Sequence, residues 1–451
     1  MIFRQEMRLF VLWLLLTLIF LSGCAVYRPA PLSPTPDLTA APSLTVPASE
    51  FSLPGLKPHP LPMNGFDETT IVTLAVFDNP DLKAARLQAG VASAQLLQAG
   101  LLPDPVLNAD FAKSALNYGG DVGLSEDIQA LITRGAAKDA ARATQQQVHL
   151  NILWQEWQIA ERTRELFIQS QSNDELQQVL TAARDFFADR YRQDQAALQK
   201  SDITISVATA DLTLLTGAEN KLRQFQLNAS TTRQQIDQLL GLQPSVSLHL
   251  IGPANTQPLS KEQFQAAVAS LPHRRADLLA LQAGYQAQEQ SLRETILAQF
   301  PNLTAGVVYS RDPVEGVNDL GPSVTLSFPI FNRNRGNIAI QTATRAFLRQ
   351  TYQARLDQAA GEADQLWNAT EIMHNQLRDL DARLAELRKT AVAAKQGFEQ
   401  SNLSAGLYVN IESSLLTAQA EEIQLRASLG TAESVMETLL GLPFGTEAGT
   451  K

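Results

Sequence analysis

Residues 323–336 read Ser-Val-Thr-Leu-Ser-Phe-Pro-Ile-Phe-Asn-Arg-Asn-Arg-Gly. Val324, Leu326 and Phe328 alternate with Ser323, Thr325 and Ser327. A period of two places the apolar set on one face of a strand and the hydroxyls on the other. Pro329 ends the pattern, and no proline recurs from 330 to 442. Upstream, Leu303, Ala305, Val307 and Tyr309 share a face of a second strand, and the turn-rich segment 311–322 makes the two a hairpin. A two-faced hairpin followed by about a hundred helix-forming residues is the unit from which the fold is read.

The same unit occurs earlier in the chain. Asp81-Leu82 recurs as Asp277-Leu278, Leu87-Gln88-Ala89-Gly90 as Leu281-Gln282-Ala283-Gly284, Pro105-x-Leu107-x-Ala109 as Pro301-x-Leu303-x-Ala305, and Leu239-Leu240-Gly241-Leu242 as Leu439-Leu440-Gly441-Leu442. The offsets are 196, 194, 196 and 200. A near-constant offset marks an internal duplication. Each copy opens with a helix-forming stretch, 67–101 and 260–299, the second beginning at a Ser260/Gln263 capping box. Prolines 103, 105 and 301 interrupt. In the first copy Leu107, Ala109 and Phe111 form one strand face, and Val122, Leu124 and Ile128 another, with Glu126 breaking the pattern and the turn-rich segment 112–120 between. Each copy closes on a long proline-free stretch, rich in Ala, Gln and Leu. A helix of ~60 residues reaches about 90 Å and must pair along its length.

The chain begins with Arg4 and Arg8, an uncharged apolar run from Leu9 to Phe20, and Leu21-Ser22-Gly23-Cys24. This reads as a signal peptide, since the run is too short to span a bilayer. Leu-Ser-Gly-Cys resembles the lipobox of bacterial lipoproteins, which implies cleavage before Cys24 and a covalent lipid on its thiol. Ala25 leans towards the outer membrane. Cys24 is the only cysteine, so no disulfide framework exists within one chain. Removal of residues 1–23 leaves 34 basic and 45 acidic residues, a formal charge of −11. That balance argues against nucleic acid as a partner. Residues 28–62 hold ten of the 22 prolines and read as an extended tether. The expected division is a leader over 1–23, a lipidated tether over 24–64, repeats over 65–242 and 243–445, and a tail over 446–451.

Four strands per chain cannot close a barrel, and open sheet edges cannot sit in lipid. Several chains must therefore share one barrel; edge arithmetic alone does not fix their number. Phe328 to Gly336, the Asn79-Pro80-Asp81-Leu82 motif and the two Leu-Leu-Gly-Leu endings resemble TolC-like outer-membrane efflux proteins, closest to the heavy-metal type. The resemblance covers roughly 65–445. It implies a mainly α fold with a minor β part: a homotrimer with a shared 12-stranded transmembrane β-barrel above a long α-barrel of helical hairpins. It also implies a passive exit duct for metal ions or small toxic compounds. The implied partners are a periplasmic adaptor and a proton-driven inner-membrane pump, with no cofactor beyond the lipid. Alternatives are the duct of a type I protein secretion system and a structural periplasm-spanning coiled-coil lipoprotein.

An enzyme is not expected. His59, His149, His249, His273 and His374 are scattered, and neither a phosphate-binding glycine loop nor a Gly-x-Ser-x-Gly elbow is present. The pair Trp154 and Trp157 reads as packing bulk. Both ends of each long helical stretch are expected near the membrane, so each must fold back at a periplasmic tip. The turns are placed near Gln195 to Asp202 and Ser401 to Tyr408. Ala196, Lys200, Asp202, Ser404 and Gly406 are the candidate tip and gate residues. The family's Gly, with an Asp six residues later, is incomplete here. Asp202 is the candidate pore-facing acid; its other reading, with Ser201, is a helix N-cap.

Overall fold

What the sequence reads as single helical stretches are pairs of helices in the computed structural model, which describes residues 26–42, 65–113, 118–315 and 317–443. Pro80 disfavours helical backbone at Asn79, which sits at φ −55°, ψ 123° and divides α1 (Glu68–Asp78) from α2 (Pro80–Gly100). Proline suits the first position of a helix, where no N–H is needed. In the second copy Arg275, at φ −75°, ψ 119°, divides α5 (Lys261–Arg274) from α6 (Ala276–Leu297). The expected capping box is present: Gln263 N donates to Ser260 Oγ at 3.2 Å and Ser260 N to Gln263 Oε1 at 2.8 Å.

Two breaks made of different residues hold the same partner. Asn79 Nδ2 donates to the carbonyl of Leu239 at 3.1 Å. Arg275 Nη1 donates to the carbonyl of Leu439 at 3.3 Å. Leu239 ends α4 (Ile205–Leu239) and Leu439 ends α8 (Ala405–Leu439). Gly241 and Gly441 follow at φ 63° and 66°, the left-handed conformation that terminates helices. The repeated Leu-Leu-Gly-Leu is thus a docking turn that returns each copy's last helix to its first break.

Four strands follow the breaks: β1 (Val106–Lys113), β2 (Tyr118–Asp127), β3 (Asn302–Arg311) and β4 (Asn318–Ser327). They form one antiparallel sheet in the order β1-β2-β3-β4. Several strand limits differ from the sequence reading: Ala112, Lys113 and Tyr118 to Gly120, expected in the first turn, pair as strand, and Arg311 lies in β3. Ile128 opens a helix and leaves the strand, because Asp127 Oδ1 accepts from Ala130 N at 3.1 Å and caps it. Phe328 lies one residue past β4. Residues 318–322, expected in the turn, pair with β3; Pro322 is tolerated there because β4 is an edge strand of this chain.

The long helices are α3 (Ile128–Gln199, 72 residues) and α7 (Arg335–Glu399, 65 residues). Their returns, α4 and α8, have only 35 residues each. The expectation that both ends of each stretch reach the strands is corrected: α4 and α8 turn back only part of the way. At about 1.5 Å per residue, α4 covers roughly half of α3, and α2 packs along the half nearer the strands. The result is a four-deep row: α2 and α4 in tandem, then α3, then α6 and α8 in tandem, then α7.

The two largest clusters of buried apolar residues lie where the breaks meet the long helices. One groups Ile71, Leu74, Val76, Trp157, Phe167 and Leu240. The other groups Phe264, Leu271, Leu278, Ala359, Met436 and Leu440, with Phe264 stacked on Trp367 at 4.6 Å. Trp157 is core bulk, and Trp154 lies under the buried Arg275 guanidinium, 4.9 Å from its ring centre. The buried Arg164 binds Glu68, Glu437 at 2.5 Å and the Asn255 carbonyl at 2.9 Å, joining α1, α3 and α8. Burial outweighs the neighbouring guanidinium in holding the Glu437 carboxyl above the usual range.

Residues 26–38 form a separate unit. They are exposed and contain neither helix nor strand, with Ser33 Oγ donating to the Thr35 carbonyl at 3.2 Å. Cys24 and most of the proline-rich tether lie outside the described residues.

Candidate functional site

The sheet has two chemically opposite faces, and the pairing register defines them. Leu107, Leu124, Val307 and Pro322 stand in one row; Ala109, Val122, Tyr309 and Leu320 stand in the next. Leu303 opposite Leu326, and Ala305 opposite Val324, continue that face towards the helices. Its large side chains are exposed within the chain, including Leu107, Phe111, Leu320 and Val324. Among the described residues nothing covers this apolar face.

The other face carries Asn108, Asp110, Asp121, Ser125, Asp127, Thr304, Ser310, Asp319, Ser323 and Thr325, interspersed with Gly119, Gly123, Gly306 and Gly321. No Lys or Arg stands on it among the described residues. One row brings three acids together: Asp110 opposite Asp121, Asp121 opposite Ser310, and Ser310 opposite Asp319. Like charges directly opposed across strands destabilise a sheet. Such a row is retained at least cost where water reaches it. Sequence reading put Asp110 and Asp121 opposite the apolar residues of their strands but left Asp319 in the turn 311–322, and it missed their convergence, because alternation fixes the face of a strand and not the register between strands.

At the far end, the helices reverse at 200–204 and 400–404. Lys200 is the C-cap of α3, and Ala196 lies in its last turn; both are exposed. Asp202 is exposed in the reversal, its N–H donating to the Ala197 carbonyl at 2.9 Å. Neither Ser201 nor Asp202 caps α4: Thr204 holds the N-cap position, and Ser201 sits at φ 62°. That corrects the capping alternative. In the second reversal Ser404 does cap, accepting from Leu407 N at 3.4 Å, and Gly406 lies exposed in the first turn of α8. The five candidates thus fall on two reversals.

Just behind the reversals the two helical hairpins are joined by groups the sequence reading missed. Tyr408 stacks on Phe398 at 5.0 Å and meets Phe186 edge-on at 5.6 Å. Arg190 lies 5.7 Å from the Phe398 ring centre, 2.8 Å from Asp194 and 3.5 Å from Asp211. Burial, with a hydrogen bond to Asp211, pushes the Asp194 carboxyl above the usual carboxylate range. The signal in the sequence was weak: Arg190 and Asp194 are spaced by four on a helix, as many solvated pairs are.

No protein-family model matches the chain, and no curated protein aligns with it. Its likeness is to solved structures. Crystal structures of CusC, described for conformational changes accompanying folding and transmembrane channel formation, match at 16% identity with a TM-score of 0.69, over 89% of this chain and 99% of that one. The chain shares its fold with that structure over nearly its whole length. The outer membrane protein VceC of Vibrio cholerae matches at 16% identity and a TM-score of 0.69, over 84% of this chain and 96% of its own. The CmeC outer membrane channel of Campylobacter jejuni matches at 17% identity and 0.67, over 95% and 96%. The channel fold spans the chain from its helix breaks through both hairpins, so the mainly helical architecture with a small antiparallel sheet stands.

Proposed function

We propose that the chain is one third of a trimeric outer-membrane exit duct of a tripartite efflux system. The observation that carries this reading is a sheet whose apolar face is uncovered and whose two edges, β1 and β4, are unpaired within the chain. β2, β3 and β4, of 10 residues each, have the length for a tilted crossing of a bilayer. Pairing β4 of one chain with β1 of the next removes the edges, and three chains supply twelve strands. The apolar face then meets lipid, and the acidic face lines the lumen.

The helical row supports the same closure. Its outer members carry exposed apolar side chains: Leu87, Val91 and Leu97 on α2, Ile205 and Leu227 on α4, and Ile340, Phe347 and Val392 on α7. Such stripes fit helix against helix across a subunit boundary. The recurrence of helix, break, hairpin and long helical pair in each half supports descent from a duplicated unit.

In this reading the duct is passive and performs no covalent chemistry. The helical tip meets an adaptor and, through it, a proton-driven inner-membrane pump that chooses the substrate, metal ions or small toxic compounds. Cys24 carries the lipid anchor, and Asp202 faces the pore at the tip. The test is conductance of the purified protein in planar bilayers. Discrete steps that favour cations are expected from a lumen lined by Asp110, Asp121 and Asp319. The triple substitution to Asn should lower the cation preference several-fold while keeping the steps; absence of steps from folded, inserted protein would contradict the duct.

A further inference from the structure

We propose that the junction between β4 and α7 is a binding surface for an anionic phospholipid headgroup, presented by Arg333 and Arg335 beside Phe328, Ile330 and Phe331. This rests on the membrane-inserted reading above and adds a lipid class and a place. Phe328 and Ile330 are each 67% exposed and Phe331 is 95% exposed, immediately after the strand whose apolar face ends at Leu326. A cluster of exposed large apolar groups marks an interaction surface. Phe300, also exposed, leads into β3 at the same end of the sheet. The two guanidinium groups are exposed, and among the described residues neither has a carboxylate partner, in a chain of net charge −10.

The turn that presents them is fixed. Arg333 and Asn334 both adopt left-handed backbone, at φ 47° and 54°. That conformation is disfavoured for a residue with a Cβ, less so for asparagine, and the surroundings hold it. Asn334 Nδ2 donates to the Thr295 carbonyl of α6 at 2.8 Å, Asn337 Nδ2 donates to Asn334 Oδ1 at 2.7 Å, and Arg335 N donates to the Asn332 carbonyl at 3.0 Å.

The corresponding junction of the first copy differs in charge. There β2 ends on Glu126 and Asp127, and Asp127 caps α3 directly. A general apolar girdle would serve both junctions alike; exposed Arg333 and Arg335 follow the strand at the second junction only, and their charge favours phosphate. Phenylalanine and aliphatic side chains beside basic groups settle at the boundary between headgroups and acyl chains. Guanidinium groups there bind a phosphodiester through two parallel N–H donors. Basic pockets beside membrane segments recognise anionic headgroups in this way.

The experiment uses the full chain in vesicles of phosphatidylcholine and phosphatidylglycerol. Phe331→Trp should be quenched by lipids brominated near the headgroup, and Leu326→Trp by lipids brominated deeper, each read as a difference from the parent. Native mass spectrometry of protein released from the same vesicles should find phosphatidylglycerol retained several-fold over phosphatidylcholine. Arg333→Gln with Arg335→Gln should abolish that preference while leaving assembly intact. Quenching of Leu326→Trp without quenching of Phe331→Trp, or an unchanged preference in the double variant, overturns the headgroup surface alone. Absence of quenching at both positions overturns it together with the inserted barrel.

Discussion

Asn79 and Arg275 answer one structural need with different chemistry. Each interrupts a helix and binds the carbonyl that ends its copy's last helix. Asn79 also accepts from Leu82 N at 3.0 Å, capping α2. Asn79→Ala should therefore lower stability by about 1–2 kcal/mol, read from thermal unfolding followed by helical circular dichroism. Arg164 is a harder case, because its removal strands Glu68 and Glu437 in a buried setting. Arg164→Leu should cost ~3–5 kcal/mol. By contrast Arg142→Ala, which breaks an exposed pair with Asp139, should cost about 1 kcal/mol or less. Asp194 holds its proton more tightly in the folded state than in the unfolded chain. Its raised folded-state pKa means that its contribution is full below the ordinary carboxylate range and is lost as pH rises through the folded value. The parent should melt at lower temperature as pH climbs through mildly acidic values towards neutral. Asp194→Asn should flatten part of that fall; identical pH profiles for the two proteins would remove the carboxyl pair from the account.

Among elements, the alternating runs, the Ser260 capping box and the long proline-free stretches were legible because each is a local pattern with its own period. The repeated Leu-Leu-Gly-Leu was legible as a repeat, but its role was not, since the docking partner lies 160 residues away at Asn79. The half-length return of α4 and α8 was missed for a similar reason. Proline-free sequence sets how far helix can run, while the place where it stops depends on that distant contact. The acidic row of Asp110, Asp121 and Asp319 depends on register, which one sequence does not carry. The edges of the helical row give an element-level prediction. Leu87→Glu with Val91→Glu puts charge on an exposed stripe of α2, so the isolated chain should keep its helix content. Its assembly should fail, read as loss of the oligomer in detergent by light scattering; an unaffected oligomer would place the subunit contact elsewhere.

At the scale of the whole molecule, one chain holds both halves of an incomplete object. Its sheet has an apolar face with no cover and two free edges, and its helical row ends in apolar stripes. Leu326→Arg or Val307→Arg, on the face proposed to meet lipid, should impair insertion by ~2–4 kcal/mol if the position lies near mid-membrane. The resemblance noted in the sequence pointed to this object; the solved structures, at 13–17% identity, share the fold of the single chain. The shared barrel is the central claim, because duct, lumen and adaptor contact all follow from it. The most direct measurement is the mass of the assembly extracted from outer membranes into detergent and determined by native mass spectrometry. Three chains per particle, losing their β-sheet signal on dissociation, is the predicted result. A stable folded monomer in detergent-free buffer, with its four strands intact, would contradict it.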